Sequence, residues 1–217
     1  MAEISHESVL RHPLTTILGA KAHVRVLREL FAHGGELSAP ALVRRTGLAQ
    51  SSVREALMGL EPLGIVRALG QGRVRLYRVA CDHPLSAPLE VLFQAEEERY
   101  QAILDAIRNA VREFGDDVLA AWLYGSVARG EDGPTSDVDI AVVIKADEVS
   151  RVADGIRERL MDAEDRLVFH LSVVPVDEDD VRRLDREGDP WWRDIQRDGI
   201  ALIGPRPEEL LRRLRSR

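Results

Sequence analysis

The strongest constraint on how this chain folds is a polar segment held between two apolar runs. Residues 118–123 (VLAAWL) lead into Tyr124-Gly125-Ser126, and after ten intervening residues comes Asp137-Val138-Asp139, which opens a second apolar run to Ile144. Runs this short, rich in aliphatic residues, read as strands. Side chains alternate along a strand, so Asp137 and Asp139 share one face while Val138 and Ile140 point into the core. Two carboxylates about 7 Å apart along a strand repel each other unless a cation lies between them. Mg²⁺ suits that role, because it takes oxygen ligands from carboxylates and completes its octahedron with substrate phosphates.

The first half of the segment complements the second. A Gly-Ser turn followed by a helix-compatible VARG run places free backbone N–H groups at a helix start, where they and the Ser126 hydroxyl can hold phosphate oxygens. Gly125 permits the sharp turn and the close approach to a ligand. Arg129 is placed to pair with a phosphate or a carboxylate. Ser136, just before the aspartates, can cap or orient them. The alternative is a glycine turn and an acidic strand edge with no chemistry.

Around this segment the pattern alternates helix and strand. A long amphipathic helix is expected from about Glu90 to Phe114, a helix near Glu148–Ala163, and a strand near Leu167–Val176. A last helical stretch holds Trp191 and Trp192, and Ile200–Ile203 form a final strand. The two tryptophans are expected to anchor that helix to the sheet, a base-stacking platform being the alternative. This order implies an α/β (or α+β) layer around a small mixed sheet. Residues 205–217, EELLRRLRSR at their core, read as a basic tail, helical or frayed.

The first third differs in charge and pattern. Residues 1–80 carry 11 Lys and Arg against 6 Asp and Glu; the remainder carries 19 against 31. A basic part joined to an acidic part suggests two domains with different partners, nucleic acid for the first and a metal for the second. A helix is expected over 14–33, a short one capped by Ser38 with Pro40 in its first turn, and a third over Gln50–Leu63. Two β-like runs joined by Gly70-Gln71-Gly72 then make a hairpin. Residues 81–89 read as a linker. The single cysteine, Cys81, excludes an internal disulfide, fits a reducing cytoplasm, and is expected to be a small, partly buried hydrophobe. His6, His12, His23, His33 and His83 are too scattered for a zinc site. No apolar run approaches a membrane span, so the expected location is the cytoplasm.

Residues 14–80 resemble the winged helix-turn-helix regulators of bacteria and archaea. In that motif the second helix enters the major groove with its N-terminal residues, here Gln50, Ser51, Ser52 and Arg54, while Arg73 and Arg75 on the wing reach phosphate. The resemblance implies double-stranded DNA as a partner and a homodimer. The Gly125-Ser126…Asp137-Val138-Asp139 pattern is similar to the signature of the DNA polymerase β-like nucleotidyltransferase superfamily, its minimal branch in particular. That resemblance implies that Gly125 and Ser126 contact the phosphates of a nucleoside triphosphate such as ATP, and that Asp137 and Asp139 bind Mg²⁺ or Mn²⁺. It implies transfer of a nucleoside monophosphate to a hydroxyl acceptor. Active members add a third carboxylate on a later strand; here that strand, RLVFHLSVVPV, offers His170 and Ser172 instead. His170 is expected to be half-buried in it, the alternative being a metal ligand in place of the third acid, which suits Mg²⁺ poorly. A regulator that senses nucleotide, or an antitoxin-like partner of a toxin protein, is therefore the alternative to an enzyme. The expected division is a winged helix over 1–80, a linker over 81–89, a nucleotidyltransferase-like domain over 90–204, and the tail.

Overall fold

The computed structural model describes residues 13–70 and 75–215. The chain divides into two compact units between Glu97 and Glu98.

The first unit packs helices against a small sheet. The periodicity of residues 14–33 predicts one helix, but there are two, α1 (Pro13–Leu18) and α2 (Lys21–His33). Gly19 offers no side chain to hold the helix together, and Ala20 is extended (φ −119°, ψ 133°). Gly34 closes α2 in the left-handed conformation at φ 67°, its N–H bonding to Leu30 and Phe31. Ser38 caps α3 (Ala39–Thr46) as expected, its hydroxyl accepting from the Ala41 amide. Gly47, also left-handed, turns the chain into α4 (Gln50–Leu60). Val26, Leu27, Leu30, Leu42, Val53 and Leu60 form the buried centre. The hairpin pairs β2 (Val66–Leu69) with β3 (Leu76–Val79), and a third strand, β1 (Leu37–Ser38), joins on the far side of β3. Two residues carry no periodic signal, so β1 was not legible in the sequence. The hairpin tip, including Arg73, lies outside the described residues, as do His6 and His12.

The segment expected to be a linker is helical from Ser86, the start of α5 (Ser86–Arg112). The buried Ser86 hydroxyl donates to the Ala80 carbonyl at 2.6 Å. Cys81 is exposed rather than partly buried, because it sits in the turn before α5.

The second unit is a mixed sheet covered on both faces, an α/β arrangement. Its strands are β4 (Val118–Tyr124), β5 (Val138–Ile144), β6 (Leu171–Val176) and β7 (Ile200–Ile203), in the order β6-β5-β4-β7. β4 is antiparallel to β5 and β7; β5 and β6 are parallel. One face packs on the second half of α5 and on α7 (Val149–Leu167) through Ile107, Val111, Ile140, Val142, Ile156 and Leu160. The other packs on α8 (Glu178–Glu187), α9 (Pro190–Asp198) and α10 (Pro207–Arg215) through Trp122, Val143, Val181, Trp192, Ile195 and Leu211. Two expectations change, and of the two readings of the tail the helical one holds. α7 runs to Leu167, so β6 begins later than the sequence suggests. α8 was not foreseen, since its apolar content is little more than Val181 and Leu184 among charges. The tail forms α10, which buries Leu210, Leu211 and Leu214 while its arginines face out.

Candidate functional site

Strand register joins the two halves of the motif. Tyr124 lies opposite Asp139 across the antiparallel pair, so the chain leaves β4 at Gly125 beside that carboxylate. Gly125 has φ +76°, and a Cβ there would lie 2.6 Å from Asp139 Oδ2. Only glycine combines that backbone angle with that approach. The chain then makes one helical turn, α6 (Gly125–Arg129), ended by left-handed Gly130.

Asp137 is exposed and Asp139 half-buried, while Val138 and Ile140 are buried, as strand alternation requires. No ion pair or hydrogen bond with a described residue engages either carboxylate. On the other side of β5, Asp139 pairs with Ser172 of β6. Facing residues on adjacent strands point the same way, about 5 Å apart. The neighbouring-strand position beside Asp139 thus holds a hydroxyl. His170 is exposed and precedes β6, rather than half-buried within it; its carbonyl accepts the Val138 amide at 2.7 Å. Its place is set by the late start of β6. Among the described residues no group of three His, Cys, Asp or Glu side chains is arranged to hold a metal ion. The protein's own carboxylate donors at this edge are two. Two uncompensated carboxylates fit a divalent cation whose remaining ligands are water and phosphate.

The remaining motif residues have partners. Arg129 donates to Glu131 at 2.8 Å and lies 3.8 Å from Asp198 of α9. The hydrogen bond to Glu131 raises its already high pKa. The Ser136 hydroxyl accepts from the Gly133 amide and so ties the loop before Asp137. Two aromatic residues complete the edge. Tyr124 meets Trp191 edge-on at 5.6 Å between centroids. Burial raises the Tyr124 phenol pKa; Trp191 opposes that shift and the charge of Asp139 adds to it. The tryptophans divide their roles. Trp192 is buried against Trp122 and anchors α9, whereas Trp191 is half-buried beside Tyr124. Tyr124 was missed in the sequence; its signal was its position directly before the glycine.

In the first unit, α4 presents Gln50, Ser51 and Arg54 exposed and Ser52 half-buried. Arg54 makes no ion pair with a described residue. Arg75 is differently placed: it pairs with Glu61 at 2.7 Å and lies over the Tyr77 ring. Arg45 and Arg67 are likewise paired, with Glu29 and Asp82.

Comparison with known proteins agrees with this division. Residues 24–70 match the IclR helix-turn-helix domain, and residues 104–189 match the nucleotidyltransferase domain. An aminoglycoside nucleotidyltransferase (4′) of Staphylococcus aureus is 33% identical over 57 residues, 26% of this chain. That match spans only 22% of the relative, and a counterpart from a Bacillus species matches to the same extent. Among solved structures, the antimony-specific transcriptional repressor AntR is similar with a TM-score of 0.37 at 23% identity, covering 46% of this chain and 88% of that one. A toxin-antitoxin structure with AMP-PNP is similar with a TM-score of 0.35 at 18% identity, covering 52% and 84%.

Proposed function

Since the chain joins an IclR-type helix-turn-helix domain to a nucleotidyltransferase domain, we propose that it is a DNA-binding regulator whose second unit senses a nucleoside triphosphate. Asp137 and Asp139 would hold a divalent cation, Mg²⁺ or Mn²⁺, which would supply positive charge for the nucleotide phosphates. Gly125 and Ser126 cradle those phosphates with backbone N–H groups and a hydroxyl. Arg129 exchanges Glu131 for phosphate, an anion it can bind in a fork. Ser136 holds the loop that sets Asp137. Trp191 and Tyr124 form an aromatic wall at the same edge. ATP is the proposed nucleotide, double-stranded DNA the partner of the first unit, and a homodimer the DNA-binding form.

The observation that carries the sensing reading is the pairing of Asp139 with Ser172. In-line attack on the α-phosphorus needs a group that takes the proton from the attacking hydroxyl. A serine hydroxyl in that position is a poor base. The chain therefore keeps what binds a metal-nucleotide and lacks what drives its transfer. A second reading, transfer to a hydroxyl acceptor, is favoured by the free, intact aspartate pair.

Incubation with α-labelled ATP and Mg²⁺ separates the two. Saturable binding that disappears in Asp137→Asn/Asp139→Asn, without pyrophosphate release above the buffer rate, supports the sensor. Pyrophosphate release that the double variant abolishes supports the transferase. Absence of nucleotide binding by the folded wild type contradicts both.

A further inference from the structure

The second unit contains a cavity of about 830 Å³ that adjoins the proposed nucleotide site and shares Ser136 with it. It lies on the α5–α7 side of the sheet, near the edge that carries Asp137. Its floor is apolar, with Ile103, Leu104, Val138 and Phe169 all buried. This volume is within the range of sites that enclose drug-sized molecules.

Charge sets what the cavity takes. Its wall carries three carboxylates, Asp132, Glu164 and Asp165, with one guanidinium, Arg99, and the His170 imidazole. Arg99 donates to the carbonyls of Leu167 at 2.9 Å and Val168 at 2.7 Å and offsets one of those three charges. Glu164 accepts the Leu171 amide. Asp132 and Asp165 have no ion-pair partner among the described residues. An apolar floor under an excess of carboxylates repels a triphosphate and attracts a cation whose body is apolar. Val168 adds a further sign. It lines the mouth with its side chain 77% exposed and φ at +54°, an angle a β-branched residue rarely adopts. An apolar side chain held outward in a strained backbone gains contact if a ligand covers it.

We propose that this cavity binds an aromatic organic cation, the second ligand of a regulator that also responds to nucleotide. Val127 and Gly130, which follow the Gly-Ser turn, and Ser136, which precedes Asp137, line it as well. An occupant therefore touches the backbone that shapes the nucleotide site.

The test uses rhodamine 6G as the probe, with the full chain and no nucleotide, followed by fluorescence anisotropy. Wild-type protein is expected to bind it saturably. Asp132→Asn/Asp165→Asn should weaken binding at least tenfold while leaving nucleotide binding unchanged; both residues are exposed, so folding is not at stake. Fluorescein, of similar shape but anionic, should not bind. No saturable rhodamine binding, equal binding by the double variant, or equal binding of fluorescein overturns the proposal. The assay contains no nucleotide, so its outcome is independent of whether the nucleotide site works.

Discussion

A single residue sets the geometry of the nucleotide edge. At Gly125 a methyl group would be strained by φ +76° and would meet Asp139 at 2.6 Å. Gly125→Ala is expected to weaken Mg-ATP binding by at least tenfold and to lower stability by about 1–3 kcal/mol, measured by calorimetry and urea unfolding. Ser172 makes the converse prediction. Ser172→Asp places a carboxylate beside Asp139 and is expected to raise pyrophosphate release above the wild-type background; an unchanged rate would remove Ser172 as the reason for slow turnover. The motif was legible in the sequence because its residue types and spacing are fixed by strand period. That Ser172 and not His170 faces Asp139 was not, because one residue of register decides it and the long α7 delays β6.

At the scale of elements, α4 and the hairpin make different claims on DNA. Arg54 has no ion-pair partner among the described residues and lies on the exposed face of α4, whereas Arg75 is held by Glu61. Arg54→Ala is expected to lower duplex affinity and, if Arg54 meets a phosphate, to reduce the salt-dependence slope by about one. Arg75→Ala should do less, since binding DNA through Arg75 first breaks its pair with Glu61. α9 is an anchoring element: Trp192→Ala removes a buried ring packed on Trp122 and should cost about 3–5 kcal/mol in denaturant unfolding. Helices α2 to α4 were legible from caps and glycines. α8 was not, because it shows few apolar residues among many charges; α10 was left open between helical and frayed, and only tertiary packing identifies the leucines it buries.

For the whole molecule, the charge division along the chain is the feature that suggested two tasks. The basic first part matches a helix-turn-helix domain and the acidic remainder a nucleotidyltransferase domain. Sensing requires the two to be thermodynamically linked: a nucleotide that changes DNA affinity must have its own affinity changed by DNA to the same factor. The sequence indicated both domains but not their coupling, which depends on free energies that no motif encodes. The most direct measurement is duplex affinity at fixed salt, with and without saturating Mg-ATP, for the wild type and for Asp137→Asn/Asp139→Asn. The expected result is a shift of about fivefold or more in the wild type, absent in the double variant. Equal duplex affinity with and without nucleotide in a wild type that demonstrably binds Mg-ATP would contradict the role of nucleotide sensor.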